Sequence, residues 1–436
     1  MKIALLGAGS LFFEAVIIEI ARTPELYGAD VVLYDIDDKR MKLIEQVGRR
    51  LSDHYKGGLN LTTTTDRARA LDGADAAVAS IGVHGPAQQW HQKDVEAVAK
   101  FGIMQTTGDS VGPSGLSQGL RIIPIFVDIA RDMERYCPDC HLLNHSNPMG
   151  AICRAVTKAT SIQTIGYCHN VINDVGIFAK ILGVEKSELD VVVAGVNHMT
   201  WLLEMRHKGK DIYPEFKKRF LAEEPTATRL FTRELLETTG LYMVGGDRHI
   251  IEFFPHARRP TTPAEIPYQM DWRSDMIKKN LLSAELTTGA SKLAQRASGE
   301  IPLILPKLLS PEAMGLQIRS LLLGPDKVHI VNIPNNGAVT NLPPWALIEL
   351  KAVVGMQGAK PVFVGELPTV AARWTLAQIY AHELLVDAAI EGSREKAIQA
   401  LAADPMIRDF KEAREVLDGM ILAQDGRLDR YKATAR

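Results

Sequence analysis

The chain has 436 residues, of which 46% are hydrophobic and 23% charged, and its formal net charge is −2. These values are ordinary for a globular protein, and a charge so near zero lacks the basic excess of a nucleic-acid-binding protein. No run of 18 apolar residues occurs, the opening MKIALLGAGS has too short an apolar core for a signal peptide, and four cysteines make no disulfide framework. We therefore expect a cytoplasmic protein without nucleic-acid or membrane partners.

Strand-like and helix-like segments alternate along the first half of the chain. The predicted strands are short apolar runs that end in polar or glycine residues: KIALLGAGS, DVVLYDID, ADAAVASIG, HLLNHSNP, IQTIGYCHN and LDVVVAGVNH. Segments with helical spacing, such as LFFEAVIIEIART and KRMKLIEQVGRRLSDHY, separate the first of these strands. This alternation predicts βαβ units and a parallel sheet covered on both faces, with ligands outside the carboxyl ends of the strands.

The pattern changes after the sixth predicted strand. WLLEMRHKGKDIYPEF predicts a strand and then a loop, whereas residues 215–240 and 275–300 predict polar-faced helices. Strands with turn residues around Asn335 follow, and a pair of amphipathic helices ends near Pro405.

These two patterns predict an α/β fold of two lobes. We expect a Rossmann-type, doubly wound parallel sheet in residues 1–195, which would bind NAD. Residues 196–436 would form an α+β lobe that packs on the first and contributes to substrate, metal and oligomer contacts.

The turn Gly7-Ala8-Gly9-Ser10 opens a helix directly after the first strand. Glycines there let the backbone approach a pyrophosphate at the helix N-terminus. Asp35 ends the second strand, where a carboxylate can bind the ribose hydroxyls of NAD and repel the phosphate of NADP. Phe12 replaces the third glycine of the fingerprint, so a tight βα turn beside an exposed Asp is the alternative. The predicted NAD-binding residues are Gly7, Gly9, Ser10, Asp35, Ser80 and Gly82.

Cys168 and His198 each follow a predicted strand, in TIGYCHNVIND and GVNH. Two adjacent parallel strands would bring both side chains to one divalent ion. The alternative is a buried Cys acting as a small hydrophobic residue and a His with ordinary partners in the core. A second pair, Cys137 and Cys140 in CPDC, lacks the further ligands that zinc needs, and we predict a turn between a helix and a strand there.

Six motifs occur in order along the chain: GAGS, GDSVGPSG, NHSNPM, GYCHN, AGVNHMTW and VNIPNNG. Together they resemble glycoside hydrolase family 4, the NAD- and manganese-dependent glycosidases, over nearly the whole chain and least in residues 205–310. The resemblance implies a Rossmann domain, a second lobe like the C-terminal domain of lactate and malate dehydrogenases, and a site between them. It also implies a small-molecule glycoside as substrate and a homodimer or homotetramer.

The resemblance implies an elimination mechanism in place of the paired carboxylates of most glycosidases. NAD⁺ removes hydride from C3 of the sugar, and the resulting ketone acidifies the proton at C2. A base removes this proton while the metal stabilises the enediolate. The leaving group departs from C1, water adds, and NADH reduces C3 again.

Carried over by position, the motifs imply roles for individual residues. Cys168 and His198 would bind the metal, while Asn147 and Asp109 would hydrogen-bond the sugar hydroxyls. His169 would protonate the leaving group, since imidazole titrates near working pH, or would only bind substrate.

The segment VGGDRHIIEFFP contains the predicted C2 base, Asp247, with His249 and Glu252 nearby and Tyr242 as the alternative. The CHN motif resembles the subgroup that hydrolyses unphosphorylated α-glycosides, with α-galacturonides and α-glucuronides favoured over α-galactosides and α-glucosides. Arg248 would bind the uronate carboxylate.

Two other functions are compatible with the Rossmann turn. A lactate/malate-type 2-hydroxyacid dehydrogenase would use a His–Asp pair without a metal, and would accumulate NADH with a hydroxyacid. A non-enzymatic, redox-sensing NAD-binding regulator would retain cofactor binding after loss of Cys168 and His198.

Overall fold

The computed structural model describes residues 1–82, 87–224, 226, 228–254, 260–287, 290–306 and 313–433. Strands and helices alternate in its first part, as predicted. The elements are β1 Lys2–Leu6, α1 Phe12–Ala21, β2 Asp30–Tyr34, α2 Asp38–Tyr55, β3 Asn60–Thr64, α3 Arg67–Leu71, β4 Ala76–Ala79, α4 Ala87–Ala99, α5 Gly112–Tyr136, β5 His141–Asn144, α6 Met149–Ala159, β6 Thr164–Gly166 and α7 Asn170–Leu182.

The second part begins with an antiparallel hairpin and ends with three helices. Its elements are β7 Leu189–Val196, β8 Met199–His207, β9 Lys210–Asp211, α8 Tyr213–Ala222, α9 Leu230–Thr239, β10 Tyr242–Val244, α10 Asp247–Ile250, α11 Arg273–Thr287, α12 Ala290–Ser298, α13 Met314–Leu323, β11 Lys327–Pro334, β12 Leu347–Gly355, β13 Gly358–Pro361, α14 Thr369–Glu391, α15 Arg394–Ala402 and α16 Phe410–Ala423. The predicted turn at Asn335 therefore lies between β11 and β12, and the predicted helix pair is α14 and α15.

One sheet runs through both parts of the chain in the order β10-β8-β7-β12-β11-β6-β5-β4-β1-β2-β3. The strands from β3 to β6 pair in parallel, whereas β6 pairs antiparallel with β11, and β12 antiparallel with β7. The parallel part has the 3-2-1-4-5-6 order of a Rossmann sheet. The predicted fold class is confirmed.

Helices cover both faces of the parallel part, because side chains of a strand alternate between faces. In β1, Ile3 and Leu5 join the core formed with α1, α2 and α13. Ala4 and Leu6 join a second core with α5, α6 and α14 to α16. The last three helices thus pack against the first part of the chain, although sequence analysis assigned them to the second lobe.

The strand carrying the His198 motif differs from the prediction. It is β7, which runs antiparallel to β8 and β12, and two strands separate it from β6. The expectation of adjacent parallel strands ending at Cys168 and His198 is therefore wrong. The physical reason is that β11 and β12, from much later in the chain, pair antiparallel between β6 and β7 and so reverse the direction of β7 relative to β6.

Two further features bear on the predictions. The predicted lobe boundary at residue 195 falls at the end of β7, inside one hairpin of the continuous sheet, and stays a prediction. The CPDC segment does form the predicted turn between α5 and β5, with both cysteines buried.

Among the helices that the structure describes, none has the length and apolar character of a membrane span.

Candidate active site

The turn between β1 and α1 forms a cradle that only glycines fit. Gly7 has φ +85°, and a Cβ atom there would lie 2.4 Å from the carbonyl oxygen of Ser80. A Cβ atom on Gly9 would lie 3.0 Å from Oδ2 of Asp35, which accepts a hydrogen bond from the Gly9 N–H at 2.7 Å. A side chain at either position would therefore crowd neighbouring protein atoms, which explains the two glycines of this turn.

The strand ends around this turn hold the other predicted cofactor residues. The hydroxyls of Ser10 and Ser80 lie 3.5 Å apart, and Gly82 follows Ser80 by two positions. Phe12, at the place of the third glycine, begins α1 and packs on His145 with 4.5 Å between ring centroids. The structure thus brings the predicted NAD residues to one edge of the sheet.

Asp109, His198 and His249 form a cluster whose ligand atoms lie within 4.8 Å of one another. Oδ1 of Asp109 is 3.7 Å from Nδ1 of His198, and the rings of His198 and His249 have centroids 4.6 Å apart. Ser110 Oγ lies 2.8 Å from Asp109 Oδ1 and 3.0 Å from His198 Nδ1. One carboxylate and two imidazoles at this spacing can surround a divalent cation.

The protonation states of the cluster suit a cation. Burial lowers the pKa of His249 to about 3, with His198 adding to the effect. For Asp109, burial acts to raise the pKa, but the neighbouring imidazoles outweigh it and the pKa is held well below its usual range. Near neutral pH, His249 is therefore neutral and Asp109 ionised, which are the forms that bind metals.

His198 occupies the tight turn between β7 and β8 and has φ +69°, a left-handed conformation uncommon for this residue type. Behind it, the buried Glu349 accepts hydrogen bonds from Thr200 at 2.6 Å and from Asn197 at 3.2 Å. Asn332 donates to the same carboxylate at 3.0 Å. The hydrogen bonds of Glu349 thus hold the residues on either side of His198. A left-handed backbone that its surroundings maintain in this way is typical of a functional position.

Cys168 lies two residues after β6 and is buried. It packs in a small apolar group with Met149, Cys153 and Leu347, and it is outside the three-residue cluster. Its role as a metal ligand stays a prediction. His169, beside it, is exposed at the start of α7.

Asn147 links the cofactor edge to the cluster. Its Nδ2 donates to Asp109 Oδ2 at 3.3 Å, and the neighbouring Ser146 hydroxyl accepts from the Ile81 N–H at 2.8 Å, next to Ser80. Among the described residues, the buried Oδ1 of Asn147 has no hydrogen-bond partner. The predicted substrate-binding residues Asn147 and Asp109 thus lie together, with an acceptor left for a sugar hydroxyl.

Arg248 lies on α10, beside the cluster. Burial lowers the pKa of its guanidinium, and the positive charge of Arg273 lowers it further. The Nε atoms of both arginines are buried and lack hydrogen-bond partners within the described part of the chain. The carboxylates of Glu252, Asp109 and Asp271 act in the opposite direction but do not cancel this lowering of the Arg248 pKa.

The predicted C2 base, Asp247, has a different role in this structure. It is 1% exposed, and its Oδ2 accepts from the Phe231 N–H at 2.7 Å. Its Oδ1 accepts from Thr232 N at 2.9 Å and Thr232 Oγ1 at 2.6 Å. Asp247 therefore caps α9, and its assignment as the C2 base stays a prediction.

The alternative base, Tyr242, is disfavoured. Its side chain is fully buried against Phe178, Phe216 and Phe220. Burial raises the pKa of its phenol well above the usual value. The hydroxyl donates to Asp174 at 3.4 Å, away from the cluster residues.

The sequence does not mark His249, Ser110, Glu252 or Arg273 as residues at or beside the cluster. His249 and Glu252 were noted only as neighbours of Asp247, and the GDRH segment alone does not show which side chain faces the site. Ser110 follows Asp109 in the GDSVG motif, and that adjacency was its available signal. Nothing in the local sequence marks Arg273, because its position results from the tertiary fold.

Comparison with known proteins identifies the family. The Family 4 glycosyl hydrolase model matches residues 2–184, and the Family 4 glycosyl hydrolase C-terminal domain matches residues 193–407. The α-galactosidase of Bacillus subtilis strain 168 is 30% identical over 455 residues, covering 99% of this chain and 100% of that protein. An α-galacturonidase of Thermoanaerobacterium saccharolyticum is 30% identical over 474 residues, covering 100% and 98%.

Solved structures agree with this assignment. The crystal structure of LplD from Bacillus subtilis has a TM-score of 0.85 and 26% identity, covering 96% of this chain and 99% of that one. A 6-phospho-α-glucosidase from gut microorganisms, in complex with NAD and Mn²⁺, shares the fold with a TM-score of 0.83 and 22% identity, covering 98% of both chains. The chain therefore belongs to glycoside hydrolase family 4.

Proposed function

We propose that this protein is an NAD- and divalent-metal-dependent glycosidase that hydrolyses unphosphorylated α-glycosides, with α-uronides favoured. The observation that carries the proposal is the Asp109–His198–His249 cluster, joined through Asn147 and Ser146 to the edge of the sheet that holds the glycine cradle. Candidate metal ligands beside a dinucleotide-binding turn suit a reaction that needs both a metal and NAD. The dehydrogenase and the redox sensor would need NAD but no metal.

The residues present fit both cofactors. The glycine turn between β1 and the N-terminus of α1 would hold the pyrophosphate of NAD, and Asp35, beside Gly9, would bind its ribose. Asp109, His198 and His249 would hold the metal, and Cys168 is proposed as a further ligand. When bound, NAD⁺ would supply a hydride acceptor for the sugar, and the metal would supply a Lewis acid at its hydroxyls.

The chain's own residues would orient the sugar and move protons. Asn147 would bind a sugar hydroxyl through its unpartnered Oδ1. His169 is exposed next to Cys168 and is proposed to protonate the leaving group. Asp247 stays the proposed acceptor of the proton at C2 although it also caps α9, which makes Asp247 the residue to test first.

A uronide fits the unpaired charge near the cluster. Arg248 and Arg273 have no carboxylate partner within ion-pairing distance among the described residues. Both arginines are half-buried and carry like charges, which favours an anion beside them, and a guanidinium binds a carboxylate in two-point fashion. We therefore place the substrate carboxylate at these two arginines.

The test is a panel of nitrophenyl α-galacturonide, α-glucuronide, α-galactoside and α-glucoside, with NAD⁺, Mn²⁺ and a thiol. We expect turnover of the uronides, its loss in a chelator and its recovery with Mn²⁺. Arg273→Met should lower kcat/KM for the uronides by about 10–100-fold, the scale of one charge-assisted hydrogen bond, and leave the galactoside value unchanged. Full activity in chelator would refute the proposal, and an equal loss on both sugars would refute the carboxylate site.

A second measurement tests the order of bond breaking. If C2–H breaks before the glycosidic bond, turnover in D₂O places deuterium at C2 of the product. Retained protium at C2, measured by NMR, would exclude an elimination.

A further inference from the structure

Asp109 and His249 come from segments that are far apart in the sequence, yet both belong to the cluster. Asp109 follows the loop Thr106–Thr107–Gly108, whereas His249 lies on the short helical segment Asp247–Phe253. What fixes the distance between these segments therefore fixes the geometry of the cluster.

The side chain of Glu252 joins the two segments directly. Its Oε1 accepts hydrogen bonds from the backbone N–H groups of Thr106 at 2.8 Å and Thr107 at 2.9 Å. Its Oε2 accepts from the N–H of Gly108 at 2.8 Å. Three consecutive N–H groups, ending at the residue before Asp109, thus converge on one carboxylate.

The same helical segment binds the loop a second time. The carbonyl oxygen of Arg248 accepts hydrogen bonds from Thr106 Oγ1 at 2.7 Å and Thr107 Oγ1 at 2.9 Å. Since His249 lies between Arg248 and Glu252, its backbone is held to the loop on both sides.

A carboxylate at this place is costly, because Glu252 is only 6% exposed. Burial raises the pKa of Glu252 to about 7, and the N–H groups of the loop counteract the shift. A neutral amide would avoid the cost of burying charge, but its NH₂ group would face one of the N–H donors. Two acceptor oxygens are what this geometry requires.

We propose that Glu252 is a positioning residue that sets the separation of Asp109 from His249 and thereby the affinity of the cluster for a divalent cation. This inference rests on the proposed function only in taking the cluster as the metal site. Glu252 itself touches neither the ligand atoms nor the predicted NAD residues, so its effect acts through the loop.

The test is Glu252→Gln in the full-length protein, with Mn²⁺ binding measured by calorimetry after removal of metal. We expect Mn²⁺ affinity to fall by about 10–100-fold, as for other residues that support metal ligands, with NAD⁺ affinity within twofold of the parent. Amide hydrogen exchange should become faster at Thr106, Thr107 and Gly108.

Asp94→Asn is the matched control. Asp94 is 0% exposed and accepts hydrogen bonds from Ser117, Arg121 and Gln424 at 2.7–2.8 Å, none of which belongs to the cluster. The Asp94→Asn variant should have a lower free energy of unfolding than the parent and the same Mn²⁺ affinity. If it weakens Mn²⁺ binding as much as Glu252→Gln does, general loosening explains the effect and the inference fails.

A milder variant decides the question if Glu252→Gln does not fold. Thr107→Val removes the hydrogen bond from the Thr107 hydroxyl to the carbonyl oxygen of Arg248 and keeps the bond from the Thr107 N–H to Glu252. The loss of Mn²⁺ affinity should therefore be several-fold smaller than the loss expected for Glu252→Gln. Unchanged Mn²⁺ affinity in every folded variant would overturn the inference while leaving the proposed function intact. A parent protein that binds no Mn²⁺ would overturn both.

Discussion

Asp247→Asn separates a capping role from a catalytic one. The substitution keeps the size of the side chain but replaces one acceptor oxygen with an NH₂ group. The carboxylate now accepts three hydrogen bonds at 2.6–2.9 Å from Phe231 and Thr232 at the start of α9. An asparagine oxygen caps a helix about as well as an aspartate oxygen, but the loss of negative charge at a helix N-terminus costs up to about 1 kcal/mol. An unsatisfied buried N–H adds about 1–3 kcal/mol.

We therefore expect Asp247→Asn to lower the free energy of unfolding by about 1–4 kcal/mol on these scales. The assay is urea denaturation, followed by product NMR in D₂O under conditions in which the variant is folded. As a cap, Asp247 should leave deuterium incorporation at C2 within a few-fold of the parent per folded molecule. Unchanged stability together with a loss of exchange of about 10²–10⁴-fold would refute the capping interpretation and support Asp247 as the base.

Three further predictions concern the cofactor edge, the strained turn and pH. Asp35→Ala should weaken NAD⁺ binding by about 1–3 kcal/mol, measured by fluorescence titration; NADP⁺ binding to the parent as tightly as NAD⁺ would contradict the role of this carboxylate. His198→Gly and His198→Ala should both abolish Mn²⁺ binding, but the glycine variant should be more stable by about 1 kcal/mol because φ is positive there; equal urea midpoints would remove the argument for strain. Burial lowers the pKa of His382 from 6.5 to about 4. As the pH falls below 6.5, His382 is therefore protonated in the unfolded chain before it is protonated in the folded one. The free energy of unfolding should decrease between pH 6.5 and pH 4 by up to about 1.4 kcal/mol per pH unit. His382→Gln should flatten that slope in denaturation curves, and an unchanged slope would show that other groups cause it.

The Rossmann half could be predicted because its determinants are local. A buried parallel strand is a short apolar run, and its polar end marks the ligand edge, so β1, β2, β4, β5 and β6 follow from the sequence. The strand Asn60–Thr64 carries polar residues at the end of the sheet order, and the apolar pattern does not mark it. Its place depends on pairing with β2.

The candidate site could be predicted only in part, for a related reason. Asp109 and His198 lie in conspicuous motifs, but their meeting with His249 depends on strand order and on the Glu252 contacts, which link distant segments. The apolar run of β7 is the same whether its neighbours are parallel or antiparallel, so its direction was mistaken. Asp247 has the residue type of a base, and only its hydrogen bonds reveal the cap.

The packing of α14 to α16 on the first part of the chain has a consequence for biosynthesis. About 230 residues separate the end of α5 from the start of α14, and at about 5–20 residues per second a ribosome needs roughly 10–50 s to make them. Until then the faces of α5 and α6 that later meet Leu385, Leu401 and Leu417 remain open to water. The nascent NAD-binding half would thus expose apolar surface that favours aggregation and chaperone binding. Its need for chaperones should end when these last helices emerge from the ribosome.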